Sequence, residues 1–148
     1  MIIRLAEQDD LQQCRELDAI VSGLHSRKQF LEQRIRHRRA YLSIEEARVV
    51  GLITFQTNFI DCLYISLIIV HPDFRRRGIA RKLINQVAGH SRNGKLFSST
   101  EADNEQSIKM HEALGFQFSG YIDNLPQGKR EILFCKNVAR SSGPIPLP

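Results

Sequence analysis

Two hydrophobic periods take turns along the chain: short runs that alternate or are wholly apolar, and longer stretches in which apolar residues recur every three to four positions. Ile2–Leu5 is a short apolar start, and Asp9 or Asp10 can cap a helix through Ala19 with Leu11, Cys14, Leu17 and Val21 on one face. A second helix is expected over residues 26–38, with Phe30, Leu31 and Ile35 on one side. Arg27, Lys28, Arg34, Arg36, Arg38 and Arg39 crowd its remainder, a charge run that reads as a solvated face. Residues 41–44 and 48–55 flank Glu45, Glu46 and Ala47 as an antiparallel hairpin, and Cys62–Val70 is a further strand. His71, Pro72 and Asp73 stop that strand, because proline cannot donate to a ladder. Arg77 or Gly78 opens a helix ending near His90, with Ile79, Leu83, Ile84 and Val87 at helical spacing, and Asn93-Gly94 turns the chain. Residues 95–100 form a strand, 104–114 a helix stopped by Gly115, and 116–121 with 131–136 a final strand pair. The order predicts a mixed α/β (α+β) fold.

Composition narrows the class. The chain has 148 residues, 42% hydrophobic and 25% charged, which suits one domain with a packed core, expected over residues 1–138. Three of the five prolines lie within residues 139–148, a composition that supports no core and is expected to be a flexible tail. The most apolar run, residues 63–70, is interrupted by Tyr64 and Ser66 and falls far short of the ~20 residues of a membrane-spanning helix, so no membrane partner is expected. The first residues lack the features of a secretory signal or a myristoylation site, which makes the cytoplasm the default location. Three separated cysteines and five histidines show neither disulfide nor ligand spacing, so no metal is expected. A net charge of +5 points to an anionic partner; with no Trp and 7% aromatic residues, that partner is not expected to be nucleic acid.

Chemistry concentrates at Ile68, Ile69, Val70, His71, Pro72, Asp73, Phe74, Arg75, Arg76, Arg77, Gly78, Ile79 and Ala80: a buried strand, a tight connection, a basic glycine-containing turn and a helix start. The first N–H groups of a helix lack intrahelical acceptors and the helix dipole is positive there, so this end suits phosphate groups. Gly78 permits close approach, small Ala80 keeps the next turn open, and the three arginines add attraction at longer range. Neither the P-loop pattern nor the dinucleotide fingerprint is present.

At these residues the sequence resembles the GNAT acetyltransferase superfamily, whose signature places Gln or Arg three residues before a glycine and Gly or Ala two residues after it; here these are Arg75, Gly78 and Ala80. A second signature of that superfamily appears as Asn104, Ser107, Met110, His111, Gly115 and Phe116. Residues 49–53 look like its third strand, so the resemblance spans about residues 2–137, and residues 65–80, 96–100 and 119–125 look like a bacterial branch. It implies a mostly antiparallel sheet flanked by helices, with strands four and five splayed around the pantetheine arm of acetyl-CoA. Main-chain groups of the Ile68, Ile69 and Val70 stretch, at Ile68 and Val70 in particular, would pair with that arm, and the amides from Arg76 to Ala80, Ile79 among them, would hold the pyrophosphate. Asn104 and Ser107 would line the other wall.

Transfer to an amine needs a neutral nitrogen, a stabilised oxyanion and a proton for the departing thiolate. Many relatives carry a glutamate on strand four, whereas this strand has only Asp61 at its beginning, in a turn position. Tyr64 and Ser66 share a face and would order a water, and Glu101 is a second candidate base. His111 stands where the family has its acid tyrosine; it is expected either to protonate the thiolate or to pack. The acceptor site would lie between residues 22–28 and 123–129, with Asp123 and Glu131 available to attract an amine. The expected activity is transfer of acetyl from acetyl-CoA to a primary amine of a small molecule or peptide by a monomer or homodimer. The rival is a non-catalytic acyl-CoA-binding module.

Overall fold

The computed structural model describes residues 1–23 and 25–145. In chain order these form β1 (Ile2–Leu5), α1 (Leu11–Ser22), α2 (Lys28–Arg36), β2 (Ala40–Glu45), β3 (Arg48–Phe59), β4 (Cys62–Val70), α3 (Ile79–Ala88), β5 (Lys95–Glu101), α4 (Glu105–Ala113), β6 (Gln117–Ile122) and β7 (Glu131–Asn137). All seven strands join one sheet in the order β1-β2-β3-β4-β5-β7-β6, antiparallel except where β4 meets β5. The mixed α/β, mostly antiparallel architecture is the expected one.

Alternation along the strands sorts their side chains to two faces and so to two cores. Ile79, Leu83, Ile84 and Val87 of α3 pack against Val50, Ile53, Phe55, Leu63, Ile65 and Leu96 on one face. Cys14 and Leu17 of α1 and Leu31 and Ile35 of α2 cover Leu42, Leu52 and Ile69 on the other. Burial pushes the Cys14 thiol up to about 12, so it serves as a small apolar side chain rather than a nucleophile.

The third strand runs longer than its pattern suggests, to Phe59 instead of Phe55, because polar Gln56, Thr57 and Asn58 mask a hairpin arm in which Gln56 pairs with Tyr64 and Phe59 with Cys62. The connecting residues Ile60 and Asp61 both have positive φ, 49° and 61°, as a two-residue hairpin turn demands. Ile60 is 84% exposed and gains no burial there, so its β-branched side chain only adds strain. Ile60→Asn is therefore expected to raise stability by about 1 kcal/mol, read as a higher denaturant midpoint with an unchanged slope.

The second helix is shorter than expected, because Arg27 leaves the helical path and pairs with Asp18, 3.1 Å away, where Ser22 also donates at 2.9 Å. That clamp closes the α1–α2 connection around the otherwise buried Asp18 carboxylate. Of the proline-rich segment, residues 146–148 lie outside the described residues. Within the described part, the Ser141 amide donates to the Ser91 carbonyl and Arg92 donates to the Gly143 carbonyl. Among the described residues no helix is long and apolar enough to cross a membrane.

Candidate acetyl-CoA and acceptor site

The parallel pairing of β4 with β5 is confined to Leu63 with Leu96 and Tyr64 with Phe97. Beyond it β4 keeps only its β3 partner and β5 keeps only β7, which opens a cleft between two strands at the middle of the sheet. A bulge in β4 shapes this cleft. Thr54 pairs with Leu67 and Phe55 with Ile65, which leaves Ser66 as the extra residue. The His71 amide donates to the Val50 carbonyl at 2.8 Å, so alternation turns the main chain of Ile69 toward β3 and those of Ile68 and Val70 toward the cleft. Arg75 Nε reaches the Val70 carbonyl at 3.3 Å from that open side.

The basic turn follows directly. His71 Nδ1 accepts from the Asp73 amide and fixes a short 3-10 turn over Pro72–Phe74. Arg76 and Gly78 then both take positive φ, 63° and 77°, and Gly78 caps the N-terminus of α3. A Cβ placed on Gly78 would meet nothing within 4 Å, so the space in front of the first α3 amides is open. Arg75, Arg76 and Arg77 are exposed around it, with the Arg77 guanidinium laid 4.9 Å from the Phe74 ring. Ile79 is buried in the core and anchors the helix end, while Ala80 is half-buried. This open, basic helix start, with its first amides free of intrahelical acceptors, suits a pyrophosphate.

The glycine on the neighbouring strand seats that helix. A Cβ on Gly51 would lie 2.9 Å from Ile79 Cγ2, 3.1 Å from Leu83 Cδ1 and 3.2 Å from Ser43 Cβ, so α3 rests directly on the β3 backbone. Across the cleft Asn104 caps α4, its side-chain oxygen accepting from the Ser107 amide at 3.1 Å.

His111 points from α4 onto β5 and is 2% exposed. Nδ1–H donates to the Ser107 carbonyl at 2.8 Å, and Nε2 accepts from the Ser98 hydroxyl at 2.7 Å. Its ring stacks on Phe134, with centroids 4.5 Å apart, and meets Phe116 edge-on. Burial pulls its pKa below the ordinary histidine value, while the bond to Ser107 opposes that pull.

Tyr64 lies on the opposite face of the sheet, at the vertex of the cleft. Phe59 stacks on its ring, with centroids 4.7 Å apart. Its hydroxyl bonds to the Ser99 hydroxyl, which donates to Glu131 Oε2 at 2.7 Å. Ser66 turns to Thr54 instead, 2.8 Å between hydroxyl oxygens, so the two predicted partners Tyr64 and Ser66 have different bonds. Glu101 faces Glu131 across the β5–β7 pair and lies 3.5 Å from Lys129, which also holds Asp103 at 2.9 Å. Asp123 is held by Arg130 through two hydrogen bonds, at 2.9 and 3.0 Å. Ser99 carries no motif of its own; only the strand register shows that it stands between Tyr64 and Glu131. Among the described residues no group of three or more His, Cys, Asp or Glu is placed to hold a metal ion.

The family model for the acetyltransferase (GNAT) family matches residues 7–116. The chain therefore belongs to the GNAT family of acetyltransferases. A GNAT-family acetyltransferase from Bacillus cereus is 38% identical in sequence, with a TM-score of 0.83 over 94% of this chain and 98% of that one. The ribosomal-protein-S18-alanine N-acetyltransferase from Escherichia coli shares the fold at 17% identity and TM-score 0.76, covering 99% of each chain. Arabidopsis thaliana Naa50, solved in complex with the bisubstrate analogue CoA-Ac-MVNAL, does so at 18% identity and TM-score 0.72 over 92% of this chain and 97% of that one. No curated protein matches the chain significantly.

Proposed function

We propose that the protein transfers the acetyl group of acetyl-CoA to a primary amine of a small molecule or peptide, by direct attack in a ternary complex. The observation that carries this reading is the joint geometry of the cleft and the turn: main-chain edges at Ile68 and Val70 that pair with no strand lead straight to the amides of residues 76–80. In this reading Ile68 and Val70 pair with the pantetheine arm, and Ile69 holds the strand to β3 and packs beneath. Arg75, Arg76, Arg77, Gly78, Ile79 and Ala80 form the pyrophosphate pocket, and Asn104 and Ser107 form the far wall.

Direct attack also fits what lies on the other face. Acetyl carried through the split between β4 and β5 arrives beside Tyr64, where Glu101, Asp103, Asp123 and Glu131 give a local excess of carboxylates for an approaching ammonium. Tyr64 is the group nearest the vertex, Ser66 braces the bulge through Thr54, and Glu101 is balanced by Lys129. The bonds and burial of His111 support a neutral ring that seats α4 on β5, leaving the thiolate to take its proton from solvent. The expected setting is the cytoplasm, with a monomer or homodimer and no nucleic-acid or membrane partner.

The test is release of free thiol from acetyl-CoA over a panel of primary amines, including peptides with free N-termini, with mass spectrometry of the products. At least one amine is expected to gain one acetyl group in step with thiol release. Binding of acetyl-CoA with no transfer to any amine would replace this reading with that of a non-catalytic acyl-CoA-binding module.

A further inference from the structure

We propose that Tyr64, Ser99 and Glu131 form a proton-transfer chain that takes a proton from the attacking amine and delivers it to the Glu131 carboxylate. The proposal rests on the acetyl-transfer reading above. Its basis is a continuous line of hydrogen bonds across three strands, β4 to β5 to β7, on the face opposite α3.

The direction of this line follows from proton inventory. An ionised carboxylate only accepts, so the Ser99 hydroxyl gives its single proton to Glu131 and must itself accept from Tyr64. Tyr64 then donates to Ser99 and leaves oxygen lone pairs for a proton arriving from outside. Phe59 stacks on the phenol and packs in turn against Phe97, so the Tyr64 hydroxyl is held in place. Tyr64 is also the last β4 residue paired to β5, which puts that oxygen where the cleft begins.

Charge distinguishes Glu131 from its neighbour. Glu101 sits opposite it in the β5–β7 register and on the same face, but Lys129 lies against Glu101. Asp103 shares that lysine, and Asp123 is taken by Arg130. Among the described residues Glu131 has no basic partner; its bond is the one from Ser99. Burial raises the Tyr64 pKa, the Ser99 bond opposes this, and the Glu131 charge adds to it, so Tyr64 remains a phenol and acts as a conduit rather than a standing base.

The ammonium first loses one proton to solvent; the neutral amine then attacks the thioester carbonyl, the C–N bond forms and the nitrogen becomes acidic. Its proton passes to Tyr64 Oη as the Tyr64 proton moves to Ser99 and the Ser99 proton to Glu131. The C–S bond breaks and the thiolate leaves with the electron pair. Glu131 later releases its proton to solvent, and the thiolate takes one up.

The test uses the full chain, acetyl-CoA and an amine acetylated in the panel above. Glu131→Gln, Ser99→Ala and Tyr64→Phe are each expected to lower kcat by about 10²-fold. Acetyl-CoA affinity should stay within about two-fold, and the Ser99→Ala/Glu131→Gln double variant should lose no more than the worse single one, as for residues acting as one unit. Ser99→Thr, which keeps the hydroxyl, should retain most of the rate. A readout independent of turnover comes from absorbance, since the chain has three tyrosines and no tryptophan. The tyrosine transition lost in Tyr64→Phe should move to lower pH in Glu131→Gln. A Glu131→Gln kcat within about two-fold of wild type, or an unmoved tyrosine transition, overturns the chain but leaves acetyl transfer standing. Wild type that transfers acetyl to no amine overturns both.

Discussion

Gly78→Glu is expected to abolish measurable acetyl-CoA binding while the protein still folds. The residue takes φ 77° at the start of α3, and an added Cβ meets nothing within 4 Å. The folded state therefore suffers only the left-handed backbone cost, roughly 1–2 kcal/mol. The ligand suffers more. A carboxylate would project into the space before the first free amides of α3, where it satisfies the helix dipole itself and repels a pyrophosphate. Calorimetric titration should show affinity lower by at least about 10²-fold, equivalent to ~2.7 kcal/mol. Gly78→Ala is the control, because it carries the same backbone cost without charge or length. Its affinity should fall far less, and equal losses in the two variants would mean that backbone distortion, rather than occupation of the pocket, controls binding.

Gly51→Val is expected to damage fold and site together. Any Cβ at this position enters within 2.9 Å of Ile79 and 3.1 Å of Leu83, and neither neighbour has free space, since both are buried in the core under α3. Overpacking of this kind costs about 1–3 kcal/mol, and the helix must move outward to relieve it. Because Ile79 is the first residue of α3, that displacement carries with it the amides proposed to hold the pyrophosphate. Both the unfolding midpoint and acetyl-CoA affinity should fall, and a variant with lower stability but wild-type affinity would show that helix seating and ligand pocket are independent.

Local signals explain why most of this structure is legible in the sequence. The period-3.6 run Ile79, Leu83, Ile84, Val87 has one apolar stripe and becomes one face of α3. The run Cys62–Val70 is apolar on both faces and becomes the central β4, covered by a helix layer on each side. Gly78 is recognisable because a helix start preceded by arginines and opened by glycine has a direct physical use.

What stayed hidden depends on contacts between distant residues. Gln56, Thr57 and Asn58 look like loop because their polarity is a local fact, whereas they lie in a strand whose pairing with β4 is made at Gln56 and Phe59. The bulge at Ser66 has no composition mark, although it reverses which side chains face α3 and separates Ser66 from Tyr64 in function. Ser99 and Glu131 are 32 residues apart and meet only because β7 inserts between β5 and β6. His111 is visible as a departure from a family motif, but its two hydrogen bonds and its stack on Phe134 follow from the docking of α4.

Acetyl-CoA is proposed to occupy the β4–β5 cleft with its pyrophosphate on the α3 start. The most direct measurement is a backbone amide NMR titration of the isotope-labelled protein with acetyl-CoA. The largest shifts should fall on Ile68, Val70 and residues 76–80, with smaller ones at Asn104 and Ser107, and the amides of α1 facing away from the cleft should stay in place. Shifts absent from residues 76–80, or concentrated elsewhere on the surface, would place the ligand outside this cleft.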